Sequence, residues 1–260
     1  MSQTVTKAVI LAAGRGSRMR ELTQEIPKPM VEVCGKPILR YIVDGLRDAG
    51  IRKILVVVGY RKEVVQDHFQ DGSAFGIQVN YAEQVSQDGT GKAVELAEAF
   101  CESDPFILSY GDILVDPSSY IPLTRPGDAE LMLTVRHTDD VSKGGAVYVN
   151  NAFEVVDLLE KQPPGQAKTC WYNAGVYTFK TAIFSYLARL QKSPRGEYEL
   201  TDAIRAIAQD GKKVMAVEIK GYWADVRDPE TLTEVRKVRG EREKTIRSGR
   251  GCRENFTCGS

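Results

Sequence analysis

The sequence predicts an α/β fold, a mainly parallel sheet with helices on both faces, and three observations carry that reading. Apolar runs suited to strands alternate with helix-period segments from Val5 to Tyr110. One run, Lys53-Ile54-Leu55-Val56-Val57-Val58-Gly59, is apolar without alternation, as a strand covered on both faces must be. The strand–helix–strand units recur at the length a parallel crossover needs.

Taken in order, Val9–Ala12 reads as the first strand, followed by a turn at Gly14 and Gly16. Ile38, Leu39, Ile42, Val43, Leu46 and Ala49 recur at three- and four-residue spacing, which predicts an amphipathic helix from Pro37 that Gly50 ends. Strands follow over Lys53–Gly59, Ile77–Ala82 and Pro105–Tyr110, with helices over Glu63–Phe69 and Thr90–Phe100 between them. Past Asp116 the pattern becomes antiparallel. Glu130–Arg136, Gly145–Val149, Phe153–Glu160 and Asn173–Phe179 read as strands, and Thr138–Lys143 and Pro163-Pro164-Gly165 as loops. Helices over Ala182–Gln191 and Glu199–Gln209, a strand over Val214–Ile219 and a helix over Pro229–Val238 complete the pattern. Residues 1–240 are therefore expected to form one domain, with halves 1–116 and 117–240 sharing the sheet. Residues 241–260, poor in apolar periodicity, are expected to be a disordered tail that holds Cys252 and Cys258.

Composition narrows the function. With 35 basic and 35 acidic residues the net charge is zero, so bulk attraction to nucleic acid or an anionic membrane is not expected and any anion site must be local. No apolar run reaches the ~20 residues of a membrane span. Met1–Lys7 lacks the apolar stretch of a signal peptide, and the five cysteines lie too far apart for a disulfide framework. A reduced, cytoplasmic protein is the expectation. His68 and His137 read as surface or packing residues.

The local anion site is at the start of the chain. Leu11-Ala12-Ala13-Gly14-Arg15-Gly16-Ser17-Arg18-Met19-Arg20 places two glycines after a strand and three arginines beside them. Glycines let backbone N–H groups approach a ligand closely, and the cations suit a polyphosphate. The run is neither a Walker A loop, which needs Gly-Lys-Ser/Thr, nor a dinucleotide Gly-x-Gly-x-x-Gly, because Met19 holds the last position. Taken alone it reads equally well as a surface turn. Lys28, fixed between Pro27 and Pro29, adds a cation whose direction is set before any ligand arrives.

Together these residues resemble the signature of the sugar-1-phosphate nucleotidylyltransferases, and family-like segments extend to about Val238. The resemblance implies a Rossmann-like mixed sheet, mainly parallel, with a nucleotide-binding half over 1–116 and a sugar-phosphate-binding half over 117–240. It implies Arg18 and Lys28 as catalytic residues, and Leu11, Ala13, Gly14, Gly16, Gln84, Gly89 and Thr90 as nucleotide-binding ones. Gln84, five residues before Gly89, stands as in members that read uracil or thymine, and its amide offers both a donor and an acceptor. Glu83 stands beside it, and guanylyl-transferring relatives tend to carry glutamate there. Asp112 and Asp225 match the two carboxylates that hold Mg²⁺, an ion that keeps few protein ligands and takes phosphate and water for the rest. Glu160 and Lys161, in a Glu-Lys-Gln-Pro segment, match the residues that take sugar hydroxyls and the sugar's phosphate. Gly145 and Asn173 match further acceptor contacts. Glu197–Asp202 is also family-like, but reads equally as a helix cap and packing.

The expected reaction is condensation of a nucleoside triphosphate, UTP or dTTP, with a sugar-1-phosphate. It gives a nucleotide-diphosphate sugar and pyrophosphate by in-line attack on the α-phosphate with Mg²⁺. Two alternatives stand beside it: a non-catalytic nucleotide-sugar-binding regulatory subunit, and cytidylyl or guanylyl transfer to another phosphorylated acceptor. A glycosyltransferase would need an Asp-x-Asp motif, which neither Asp139-Asp140 nor Asp112 supplies. No left-handed β-helix repeat is present, so a second, acyltransferase activity is not expected. Relatives often assemble, so a homo-oligomer is an expectation.

Overall fold

The structure is a computed structural model that describes residues 4–251, the side chains of Arg20 and of 243–251 apart. Cys252 and Cys258 lie outside the described residues. The first half supplies β1 (Lys7–Leu11), β2 (Glu32–Val33), β3 (Lys36–Pro37), α1 (Ile38–Asp48), β4 (Lys53–Val58), α2 (Lys62–Phe69), β5 (Gln78–Glu83), α3 (Thr90–Glu95), α4 (Glu98–Cys101), β6 (Phe106–Tyr110) and β7 (Ile113–Val115). The second supplies β8 (Leu131–His137), β9 (Gly145–Val149), β10 (Val155–Glu160), β11 (Trp171–Phe179), α5 (Ile183–Leu187), α6 (Leu200–Gln209), β12 (Val214–Glu218), β13 (Trp223–Asp225) and α7 (Pro229–Gly251).

A nine-stranded sheet carries the path β10-β9-β11-β6-β1-β4-β5, with β8 pairing β11 and β12 pairing β8. β6, β1, β4 and β5 are mutually parallel, whereas β11 runs antiparallel to β6, β8 and β9. The two-fold period of the strands divides the core. Ile10, Ile54 and Val56 face α1, whose Ile38, Leu39, Ile42, Val43 and Leu46 are buried, while Val9, Leu55, Val57 and Leu108 face α3, α5 and α6. An apolar run without alternation therefore marks a strand buried on both faces.

Four departures from the sequence pattern have local causes. The helix expected over Thr90–Phe100 is two pieces, because the Ala97 N–H bonds the Val94 carbonyl three residues back and tightens the chain there. α5 ends at Leu187 and continues to Leu190 only as three-residue turns. The last helix does not stop at Val238 but continues to Gly251, past the expected start of a tail at 241. It is docked through Arg236, which donates to the Glu32 carbonyl at 2.8 Å, and Arg242, which meets Asp116 at 2.7 Å. The fourth is the ribbon of β7 and β13, a separate two-stranded sheet in which Asp225 lies opposite Ile113.

β11 contains a bulge at Ala174-Gly175-Val176. Asn173 pairs with Val135 and Tyr177 with Leu133, so three residues of β11 face Thr134 alone. The Thr134 hydroxyl closes the gap: it donates to the Val176 carbonyl at 2.8 Å and accepts the Val176 N–H at 3.2 Å. It is buried at 1% exposure, so no water can replace it. Thr134→Val should therefore leave two buried backbone groups unpaired and cost about 2 kcal/mol, read as a lower urea midpoint at unchanged slope.

Candidate active site

At the ends of β1 and β6 lies a cleft of about 490 Å³. It forms where ligand sites of open α/β sheets are expected, outside the C-terminal ends of the parallel strands. Its lining includes Leu11, Ala13, Gly14, Gly16, Arg18, Lys28, Gln84, Gly89, Thr90 and Asp112. Every donor-side residue named from the sequence is thus brought to one place, with Asp225 beside them.

The glycine loop is shaped by the lysine it faces. Gly16 has φ +69°, and a Cβ there would lie 2.6 Å from Lys28 Cβ, so the loop closes over the lysine stem only with glycine. The Met19 N–H and the Thr23 hydroxyl both donate to the Gly16 carbonyl, at 2.8 and 3.0 Å. Lys28, 8% exposed, starts a 3₁₀ turn after Pro27, and its Nζ meets Asp112 Oδ2 at 2.5 Å.

Asp112 lies two residues past the end of β6 and just before β7, and the β7–β13 ribbon folds Asp225 back toward it. The Val226 N–H donates to the Asp112 carbonyl at 3.0 Å. Burial, and then the charge of Asp112, raise the Asp225 carboxyl above the ordinary carboxylate range, against the opposing pull of Lys28, Arg227 and Arg18. Two carboxylates held this way are short of positive charge.

The segment after β5 closes one wall. Gln84 Nε2 donates to the Gly89 carbonyl at 3.1 Å, which turns the amide oxygen outward from that bond. Gln87 Nε2 donates to the Ala13 carbonyl at 3.0 Å and ties this segment to the glycine loop. Gly89, at φ +121°, lies so close to Tyr198 that a Cβ would be 2.5 Å from its backbone. Tyr198 bonds across the gap on both sides, its N–H to the Asp88 carbonyl and its carbonyl to the Gly91 N–H, each at 2.8 Å.

A second cluster is formed by the antiparallel strands. Gly145 pairs with Glu160 across β9 and β10, and a Cβ at Gly145 would lie 3.0 Å from Glu160 Oε2 and 3.1 Å from Asn173 Cβ. Glu160 Oε2 is buried without a hydrogen-bond partner, and burial raises its carboxyl pKa. Asn173 Nδ2 donates to the Tyr177 hydroxyl at 2.7 Å, and Tyr177 donates to the Tyr110 hydroxyl at 3.3 Å. Because Tyr110 lines the cleft, this chain connects the two clusters. Lys161 is exposed at φ +46°, a left-handed conformation held by its N–H on the Gly144 carbonyl at 2.8 Å.

Sequence reasoning did not name Gln87, Tyr110 or Arg227, which also line the cleft, nor assign Glu197, which does so too. Arg195 meets the buried Glu199 at 2.6 Å, and its charge acts on Glu160. Glu197–Asp202 carried a signal, but its position against the Gly89 loop depends on contacts more than 100 residues apart in the chain, such as the Leu200 N–H on Thr90 Oγ1 at 3.1 Å.

Comparison with known proteins agrees with this geometry. A UTP–glucose-1-phosphate uridylyltransferase, AglF, of Haloferax volcanii is 36% identical over 88% of this chain and 94% of its own length. A bifunctional protein GlmU of Methanococcus aeolicus is 37% identical over 85% of this chain but only 51% of its own length, so the chain spans about half of that relative. A solved UDP-glucose pyrophosphorylase, bound to UDP-glucose, shares the fold at a TM-score of 0.84 and 24% identity, over 92% of this chain and 99% of its own. The Nucleotidyl transferase family profile matches residues 7–240, and the chain belongs to that family.

Proposed function

We propose that this chain joins a nucleoside triphosphate, UTP or dTTP, to a sugar-1-phosphate and releases pyrophosphate. The observation that carries the reading is the Lys28–Asp112–Asp225 cluster beside a cleft lined by the glycine loop. The kinship to AglF, a named uridylyltransferase, supports it.

In this reading Leu11, Ala13, Gly14, Gly16 and Thr90 hold the nucleotide. Gln84, whose amide nitrogen is committed to Gly89, offers its oxygen to the N3–H of uracil or thymine. Gly145, Glu160 and Asn173 take the sugar, the unpaired Glu160 oxygen accepting from a hydroxyl. Lys161 takes the sugar's phosphate. An oxygen of that phosphate attacks the α-phosphorus of the triphosphate. The bond from that phosphorus to the bridging oxygen breaks, and its electron pair leaves on pyrophosphate. The nucleophile is already an anion, so no general base is needed and catalysis is alignment and charge neutralisation by Arg18 and Lys28.

The carboxylates also fit Mg²⁺. They are hard oxygen donors whose charges oppose each other. Held by Asp112 and Asp225, the ion would neutralise charge on the phosphates during transfer.

The direct test is a pyrophosphate-release screen of nucleoside triphosphates against sugar-1-phosphates with Mg²⁺. Turnover is expected with UTP or dTTP; silence across the grid overturns the reading in favour of a binding subunit. Lys161→Ala should raise KM for the sugar phosphate at least about tenfold, the loss of one charge-assisted bond, with KM for the nucleotide within a factor of two. Equal effects on both would contradict an acceptor role.

The metal assignment has a readout apart from activity. An acid whose folded pKa is raised costs stability as pH climbs past its ordinary value of 3.8, and the cost is complete above the folded pKa. Without divalent ions, Asp225→Asn should therefore melt a few degrees above the parent at pH 8, as about 1–2 kcal/mol would give, and equal it near pH 4. Mg²⁺ should raise the melting temperature of the parent more than that of the variant, and equal shifts would count against Asp225 as a ligand.

A further inference from the structure

Tyr172 has no place in the site described so far, yet its ring packs against the strand that carries Asp225 and its hydroxyl lies against Gly144, next to Gly145 of the second cluster. It stands on β11 opposite Arg136 of β8 and Ala146 of β9, one residue before Asn173 and therefore on the other face of the strand. Its ring meets that of Trp223 edge-on at 5.8 Å, and Trp223 lies two residues before Asp225 on β13. Trp223 is itself fixed, its indole N–H donating to the Ala174 carbonyl at 2.8 Å and the Arg136 guanidinium lying 4.4 Å from its centroid.

This packing drives the hydroxyl against Gly144, where a Cβ would lie 2.4 Å from Tyr172 Oη, so only glycine leaves room for it. The Lys161 N–H is bonded to the carbonyl of that same Gly144, at 2.8 Å. Hydroxyl and lysine backbone thus converge on one residue. Burial and the charges of Asp225 and Glu160 push the phenol up to about 12, with Arg227 and Arg136 opposing, which keeps it a neutral donor at any working pH. Half-buried tyrosine hydroxyls normally find a partner. This one has none among the described residues, although a phenylalanine would pack against Trp223 as well.

We propose that the Tyr172 hydroxyl donates a hydrogen bond to the phosphate of the acceptor, beside Lys161 and on the Asp225 side of the site. The assignment rests on the sugar-phosphate reading above. It adds a binding residue at the open end of β9 and β10, where Gly144 and Lys161 lie just past the Gly145–Glu160 pair. Phosphate is the favoured group because the cations Arg227 and Arg136 act on the hydroxyl, against the charges of Asp225 and Glu160, and because Lys161 is bonded to the same Gly144.

The test is Tyr172→Phe, which keeps the ring against Trp223. The expected result is a three- to ten-fold rise in KM for the sugar-1-phosphate, as for one lost hydrogen bond, with KM for the nucleotide within a factor of two. The melting temperature should stay within about 2 °C. Because the phosphate is common to all acceptors, the factor should be the same for every sugar-1-phosphate the parent accepts. An unchanged KM, equal changes for both substrates, or a loss confined to one sugar overturns the proposal while leaving the reaction class intact. A parent that turns over no sugar-1-phosphate overturns the reaction class, and this assignment with it.

Discussion

The site depends on holding two carboxylates where their charges oppose each other. Asp112 and Asp225 are more than 100 residues apart in the chain and would separate if their backbones were free. The β7–β13 ladder, with Asp225 opposite Ile113 and the Val226 N–H on the Asp112 carbonyl, prevents that. Lys28 relieves part of the repulsion by pairing with Asp112, and the raised Asp225 carboxyl shows how much is left over. The remaining deficit of positive charge is what the proposed Mg²⁺ would fill. The glycine loop answers the same demand, since Gly16 is required by the stem of Lys28, which is required by Asp112.

The glycine loop and Lys28 were legible because their residues are nearly contiguous. One strand, one turn and one proline-bracketed lysine lie within twenty residues of chain, and the glycines that fit close approaches are visible as letters. The strands buried on both faces were legible for a related reason, since β4 has no polar face to confuse its period. The acceptor side is different. Gly145, Glu160 and Asn173 become neighbours only through the register of β9, β10 and β11, and a one-residue slip would send each side chain to the other face. Their motif was readable by resemblance, but their convergence was not readable from spacing.

What escaped was short or irregular. β7 and β13 are three residues each, too brief to show a period, and their pairing is fixed by the chain around them. The β11 bulge depends on the Thr134 hydroxyl, 42 residues away, and no local pattern announces it. Tyr172 is hidden for another reason. Between Trp171 and Asn173 it looks like an aromatic of a half-buried strand, and only its hydroxyl against Gly144 distinguishes it from a packing ring.

The two halves are not independent binding surfaces. Thr90, on the nucleotide wall, accepts the Leu200 N–H at the start of α6, and Tyr198 bonds both sides of Gly89. The segment that begins α6 also carries Glu199, which fixes Arg195 near the acceptor carboxylate Glu160. On the proposed reading, a shift of the Gln84–Gly89 wall on taking a base would move the same backbone that orders Arg195 near Glu160. The Asn173–Tyr177–Tyr110 hydrogen bonds cross the sheet in parallel with that seam. One path crosses β11 and β6 of the sheet, and the other joins the starts of α3 and α6, which pack on the same face of it. The in-line displacement proposed above requires two substrates aligned to within a fraction of an ångström, and two hydrogen-bonded crossings between the halves would supply that alignment before either substrate is present.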